Sequence, residues 1–319
     1  MKNEFLNAFK SVLLFLIILF SADRVIGYYL ESLYLKSKNG EFYQTTYAIK
    51  EANEDVLIFG SSRAMHHYNS NIIEKHVQLP TYNLGRSGEN ILYSYAVFSQ
   101  VLSNHKPKLV ILDVQPSEFS WKAGKEGEDA MIAALLPFKD FPVINKNISE
   151  IRKSEVFLSN LFKTYPYNSN VAQILGYYYG FMSDEESKNG YVALKGNKIS
   201  EKQPRHQRRQ NRGNDPELIR VFTDFISLAK ANNVQLCVMV SPTTDKLNTS
   251  SIPVIRKLTE EAAIPFFDCS ALPDFNDYKL FYDETHLNED GAALFTNQVV
   301  NKLNDLNLSS EQFARNNRL

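Results

Sequence analysis

Short apolar runs closed by glycine or a polar turn recur along the chain, and segments with apolar residues at helical spacing separate them. The runs are Val56–Gly60 (VLIFG), Thr81–Gly85 (TYNLG), Leu109–Val114 (LVILDV), Val234–Val240 (VQLCVMV) and Pro265–Cys269 (PFFDC). Near-continuous apolar character over four to seven residues is the pattern of strands buried on both faces, as in a parallel sheet. Helical spacing is visible at about Asn69–His76, Glu89–Asn104, Pro216–Ala231, Ile252–Ala262 and Glu289–Leu306. Strand, helix, strand in this order predicts an α/β fold: a five-stranded parallel sheet with helices on both faces and right-handed crossovers. In such sheets, ligands bind at the carboxyl ends of the strands.

The stretch from Pro116 to Asp215 breaks the rhythm, because about 100 residues lie between the third strand and the helix before the fourth. It reads as an insertion, with helical spacing near Ser149–Phe162 and Asn170–Met182 and one hairpin strand at Gly190–Leu194. Tyr177, Tyr178, Tyr179 and Phe181 cluster on its second helix, where core or membrane-facing packing is favoured over stacking on sugars. The segment from Lys195 to Asp215 carries Lys195, Lys198, Lys202, Arg205, Arg208, Arg209 and Arg212, and reads as an exposed basic loop. The alternative for that loop is contact with anionic headgroups or an acidic polymer.

At the N-terminus, Ser11–Ala22 (SVLLFLIILFSA) is uninterrupted apolar sequence, and VIGYYL follows after Asp23 and Arg24. A bilayer needs about 20 apolar residues, so a span must reach Leu30 with Asp23 and Arg24 paired, or rely on snorkelling flanks. A cleavable signal peptide is disfavoured because Phe20 stands where the cleavage site needs a small side chain, and a buried core helix is the remaining alternative. Residues 1–30 are therefore expected to be a single-pass membrane anchor, and 31–319 one domain carrying the insertion 116–215. Lys2 and Lys10 precede the run and Arg24, Lys36 and Lys38 follow it, so the flanking charges do not orient it.

Composition narrows the functional classes. Apolar residues make up 44 % of the 319, which supports a folded core. Thirty-five basic against 36 acidic residues leave a formal charge of -1, too little to gather nucleic acid. Cys237 and Cys269 are the only cysteines, and they allow neither a disulfide framework nor a Cys-based zinc site. They are expected to stay buried thiols. No metal or other cofactor is expected; His66 and His67 lack a paired ligand motif and are assigned to packing or surface.

Three motifs carry candidate chemistry. Gly60-Ser61-Ser62-Arg63 directly follows the first strand, where a sharp turn into a helix lifts Ser62 to the top of the sheet as a candidate nucleophile. Asp283-Glu284-Thr285-His286 follows the fifth strand, and its three-residue offset lets the Asp283 carboxylate fix the tautomer of the His286 ring. Asn83 to Asn90 (NLGRSGEN) follows the second strand, and its glycines permit turns whose N–H groups could hold an oxyanion; GxGxxG is absent, so no dinucleotide fingerprint exists.

With these motifs converging on one sheet edge, the chain resembles the SGNH/GDSL hydrolase superfamily over Val56–Val114 and Val234–Leu303. The resemblance implies a flavodoxin-like sheet, Ser62 as nucleophile, Asp283 and His286 as its triad partners, and the Ser62 and Gly88 N–H groups in the oxyanion hole. The block after the third strand departs from the family. LDVQPSEF stands where a Gly-x-Asn-Asp motif normally supplies an asparagine, so Gln115 is the candidate substitute donor and Asp113 a candidate loop brace.

GSSR in place of GDS, together with the anchor, is similar to a membrane-tethered branch of the superfamily. That branch includes the DltD-type proteins of teichoic acid D-alanylation and the acyltransferases of exopolysaccharide assembly, which implies an extracytoplasmic domain. The expected activity is that of an envelope-bound serine esterase or O-acyltransferase acting on an acylated, carbohydrate-type substrate, with a membrane-bound O-acyltransferase as a candidate partner. The alternative is a non-catalytic assembly protein that binds a glycan or such a partner.

Overall fold

The computed structural model describes residues 2–182, 187–199, 213–244 and 251–306. Within it the chain divides into two compact units, Gln44–Met131 with Glu185–Leu319, and Met1–Tyr43 with Ile132–Asp184.

The first of these holds the predicted sheet. Strands β1 (Val56–Phe59), β2 (Thr81–Asn83) and β3 (Leu109–Asp113) are followed by a small hairpin, β4 (Ser187–Lys188) with β5 (Tyr191–Val192), and then by β6 (Gln235–Val240) and β7 (Phe266–Asp268). The five-stranded sheet has the order β2-β1-β3-β6-β7 with every pair parallel. Numbered within the sheet this is 2-1-3-4-5, the flavodoxin-like order with its switch point between the first and third strands. Helices α3 (Ser62–His67), α4 (Ser70–Val77), α5 (Ile91–Asn104), α9 (Pro216–Ala231), α10 (Ile252–Glu261) and α11 (Glu289–Asp305) connect or close the strands.

Alternation along each strand sorts the core into two layers. Val56, Ile58, Leu109, Ile111, Cys237 and Met239 pack with Tyr68, Ile73, Phe295 and Val299 from the α3–α4 turn, α4 and α11. On the other side, Phe59 meets Phe98 of α5 and Phe225 of α9 at ring-centroid distances of 5.6 and 6.0 Å. Asp113 falls on the α3 face of β3, in step with Leu109 and Ile111. Both cysteines are buried and free, Cys237 inside β6 and Cys269 one residue past β7.

Two helices were not visible as periodic patterns: α2 (Gly40–Lys50) and α6 (Trp121–Leu135). In α6 the glycines that depress helix propensity are the ones that packing requires. A Cβ on Gly124 would lie 2.4 Å from Asp215 Oδ2, and one on Gly127 would lie 1.9 Å from Asn90 Nδ2.

The second unit is built from α1 (Lys2–Lys36) and the helices α7 (Pro142–Leu161) and α8 (Val171–Tyr179). Its core gathers around Tyr34, whose ring lies 4.7 Å from Phe42, 5.9 Å from Phe138 and 5.8 Å from Tyr167. Helix α7 starts earlier than periodicity predicts because Pro142 supplies a favourable first position, and it kinks at Arg152 (φ -151°, ψ 84°). The segment Asn3–Lys36 of α1 is long and apolar enough to cross a membrane, a test that a signal sequence also passes. The large apolar residues from Phe5 to Phe20 are exposed, while Leu30, Leu33 and Tyr34 are buried. The polar break after the apolar run is paired. Asp23 accepts the Lys163 and Thr164 N–H groups at 2.7 and 3.1 Å, and Arg24 donates to the Leu161 carbonyl at 2.7 Å.

Most of the basic loop, residues 200–212, lies outside the described residues.

Candidate active site

The site is built from the loops that leave β1, β2, β3, β6 and the region after β7. Gly60 ends β1 with φ +146°, a conformation open to glycine, and a Cβ there would sit 2.6 Å from the Asp113 carbonyl. Ser61 then caps α3, its Oγ accepting the Arg63 N–H at 3.3 Å. The next residue, Ser62, opens the helix half-buried, with its amide among the first-turn N–H groups that have no partner inside the helix. The two adjacent serines are thus divided by geometry: Ser61 serves the cap, and the Ser62 hydroxyl is left to meet His286.

Ser62 Oγ lies 2.7 Å from His286 Nε2. His286 Nδ1 in turn lies 2.9 and 3.0 Å from the two carboxylate oxygens of Asp283. An ionised carboxylate only accepts, so Nδ1 carries the proton and Nε2 is left to accept from the Ser62 hydroxyl. Asp283 also shapes the turn that carries His286. Its Oδ1 accepts the Thr285 and His286 N–H groups, each at 2.9 Å, while Phe281 and Leu287 bridge antiparallel across the loop. Burial works to raise the Asp283 pKa, but the His286 hydrogen bond and charge, with the two amides, outweigh it and hold the carboxyl well below the usual range. Asn288 caps α11 through the Gly291 N–H (3.0 Å) and donates to the Lys279 carbonyl (2.6 Å), fixing the far side of the loop.

The other expected donors are less closely defined. Gly88 has φ +77° in a turn in which the Glu89 N–H reaches the Arg86 carbonyl at 3.3 Å, and nothing lies within 4 Å of where a Cβ would stand. A positive φ at this position suits glycine, and residue 88 is exposed. Gln115 is half-buried just before a short 3₁₀ turn (Pro116–Phe119), and its carbonyl accepts the Glu118 N–H at 2.8 Å. Asp113 takes the bracing role expected of it: Oδ1 accepts the Ser241 N–H at 2.9 Å and the Tyr68 hydroxyl at 2.7 Å, tying the end of β3 to the loop after β6.

Sequence reading did not anticipate the layer beneath the triad. Arg63 is buried, donates through Nε to Ser241 Oγ at 3.1 Å, and approaches Asp113 Oδ2 to 4.0 Å. His67 accepts the Leu287 N–H on Nε2 at 3.0 Å, so its Nδ1 proton goes to Ser241 Oγ at 2.9 Å. This chain of bonds couples α3, which carries Ser62, to the backbone next to His286. His66 donates from Nδ1 to the Val192 carbonyl at 2.8 Å, and its ring stands edge-on to the His286 ring at 5.4 Å. Burial pushes His66 down to about 4 and His67 well below its ordinary value, so both rings are neutral near pH 7. The pair one turn after Ser62 was the available signal: both are packing residues, and both pack on the site.

Among the described residues, no group of three or more His, Cys, Asp or Glu side chains is arranged to hold a metal.

No family model and no curated protein sequence matches the chain. Among solved structures it is similar to a Bacteroides fragilis NCTC 9343 protein with the provisional name acylhydrolase, at TM-score 0.41 and 12 % identity over 81 % of this chain and 94 % of that one. It is also similar to an acetyl xylan esterase from the rumen bacterium Butyrivibrio proteoclasticus, at TM-score 0.38 and 10 % identity over 79 % of this chain and 64 % of that one. The chain thus spans just under two thirds of the esterase's length. Neither likeness bears on the chemistry, which rests on the residues themselves.

Proposed function

We propose that the chain is a membrane-anchored serine hydrolase of the SGNH type that cleaves or transfers an ester-linked acyl group. The observation that carries this reading is the continuous relay from Ser62 Oγ to His286 Nε2 (2.7 Å) and from His286 Nδ1 to Asp283 (2.9 Å). Ser62 Oγ attacks the acyl carbonyl as its proton passes to His286 Nε2, and Asp283 stabilises the imidazolium so formed. The Ser62 and Gly88 N–H groups, with the Gln115 side-chain amide, are the proposed donors to the oxyanion. Collapse of the intermediate releases the alcohol, which takes the proton back from His286, and leaves the acyl group on Ser62. Water or a sugar hydroxyl then attacks that ester as His286 takes its proton; Ser62 Oγ is expelled and regains the proton from His286, and the acyl group departs as the free acid or the new sugar ester.

In this reading α1 spans the membrane and the hydrolase unit faces the envelope. The family resemblance supports an acylated glycan as substrate and a membrane-bound O-acyltransferase as partner. The competing reading, a non-catalytic assembly protein, is favoured by one feature: the asparagine expected after β3 is absent, and Asp113 nearby is committed to Tyr68 and Ser241.

Purified full-length protein should hydrolyse a short-chain aryl ester, and Ser62→Ala should not. Equal rates in the two would end the enzyme reading. Protease added to cells with permeabilised outer layers should digest the hydrolase unit, whereas protection would place it in the cytoplasm.

A further inference from the structure

The unit formed by α1, α7 and α8 turns large aromatic side chains outward. Phe181 is 85 % exposed and Phe157 65 %, and Phe162, Tyr178, Tyr179 and Tyr28 are also open to the surroundings. An exposed apolar patch of this kind on a folded protein marks an interaction surface. These residues come from three elements, yet they gather where the apolar run of α1 ends. Arg24 bonds to the Leu161 carbonyl beside Phe162, Phe157 lies one turn earlier on α7, and Tyr29 and Tyr179 share a hydrogen bond at 2.7 Å. Tyr179 continues the patch to Tyr178 and Phe181, at ring-centroid distances of 5.1 and 6.3 Å. The seating of α1 against this region is close, since a Cβ on Gly27 would lie 2.5 Å from Lys163 Cγ.

Depth identifies the occupant. A helix rises 1.5 Å per residue, so Asn3–Ala22 covers about 30 Å, the thickness of a bilayer's hydrocarbon core. Asp23 and Arg24 then stand at its boundary, and the next five residues, to Tyr29, add about 7.5 Å, the depth of the headgroup region. Tyr28 and Tyr29 fall in that band, Tyr179 is bonded to Tyr29, and the patch continues the exposed surface of α1, whose large apolar residues from Phe5 to Phe20 lie open. Aromatic rings with a polar tip are enriched at this level of a membrane, and Arg24 places its guanidinium over Phe20, 4.6 Å from the ring centroid, in a cation–π contact that offsets its charge at this boundary. We infer that the carboxyl ends of α7 and α8 lie in the bilayer interface, a second, non-spanning lipid contact that fixes the depth and rotation of α1. The inference rests on the reading of α1 as a membrane anchor.

The two native cysteines are buried, so a single introduced cysteine takes a nitroxide label selectively. Full-length Leu13→Cys, Phe157→Cys, Phe181→Cys and Lys146→Cys would be labelled in phosphatidylethanolamine–phosphatidylglycerol vesicles, and collisions with oxygen and with a water-soluble nickel complex compared. Lys146, on an exposed ion pair of α7, is the aqueous reference. The ratio of oxygen to nickel collisions at 157 and 181 should be several-fold above that at 146 and below that at 13. Values at 157 and 181 equal to the aqueous reference, with Leu13 deep, would overturn the interfacial contact while leaving the anchor intact; that result would point to a protein partner for the patch. Leu13 reading as aqueous would remove the anchor and the inference together.

Discussion

The two units place their large apolar side chains in opposite directions. In the unit that holds the sheet, Phe59, Phe98, Phe222 and Phe225 are all sealed inside, and what the sheet edge exposes is polar and half-buried: Ser62, Asp283 and His286. In the unit of α1, α7 and α8, aromatics of the same kind are exposed beside a helix that is open along its first turns. A sealed core gives a half-buried relay a fixed base, because the buried polar groups beneath it, Arg63, His67, Asp113 and Ser241, must find one another. An outward apolar surface has no such demand and instead fits a solvent that is itself apolar. In the proposed reading, the difference separates where chemistry is positioned from where the protein is held.

The largest expected effects lie in the relay. Ser62→Ala and His286→Ala should each lower the esterase rate by on the order of 10⁶, and combining them should add little, because triad members act as a unit. Asp283→Asn should lower it by on the order of 10⁴ through loss of the correct imidazole tautomer. Steady-state kinetics on the purified variants would check both; additive losses in the double variant would break the relay.

Stability should divide along the same line as burial. Phe225→Ala removes a ring packed on both Phe59 and Phe98 and should destabilise the unit of the sheet by about 3–5 kcal/mol in denaturant titration. Phe181→Ser, at a site 85 % exposed, should change stability by no more than about 0.5 kcal/mol, though it removes an apolar ring of the same size.

Between these in size is a pH effect at the sheet edge. His66 ordinarily titrates near 6.5 and is pushed to about 4 in the fold. The unfolded chain therefore binds its proton first, and the native state is favoured in full above about pH 6.5 and loses ground as pH falls toward 4. The loss from this ring amounts to about 3 kcal/mol, from the 1.4 kcal/mol that each pKa unit represents. His67, lowered in the same direction, adds to the slope. Urea midpoints between pH 7 and pH 4 should fall less steeply in His66→Gln than in wild type, and parallel curves would contradict the assignment.

Sequence periodicity carried most of the sheet, because apolar runs bounded by turns leave little choice for strands covered on both faces. Ser62, Asp283 and His286 were legible because short-range chemistry marks each: a turn after a strand, and an offset of three. The support beneath them was not legible, since Arg63 and Ser241 are 178 positions apart and neither stands in a local motif. Gly124 and Gly127 hid α6 for the opposite reason, as close packing overrides local propensity there. At Phe157 and Phe181 the pattern fails in principle: an apolar helical stripe reads the same whether it faces a core or a lipid.

The account stands most directly on an activated Ser62. A fluorophosphonate should bond its phosphorus to Ser62 Oγ as fluoride leaves and His286 takes the hydroxyl proton. Mass spectrometry of the labelled, folded protein should place the adduct on Ser62 and not on the capping Ser61, with labelling absent in Ser62→Ala and strongly reduced in His286→Ala. Folded wild-type protein that stays unlabelled, or labelling that survives in Ser62→Ala, would contradict it.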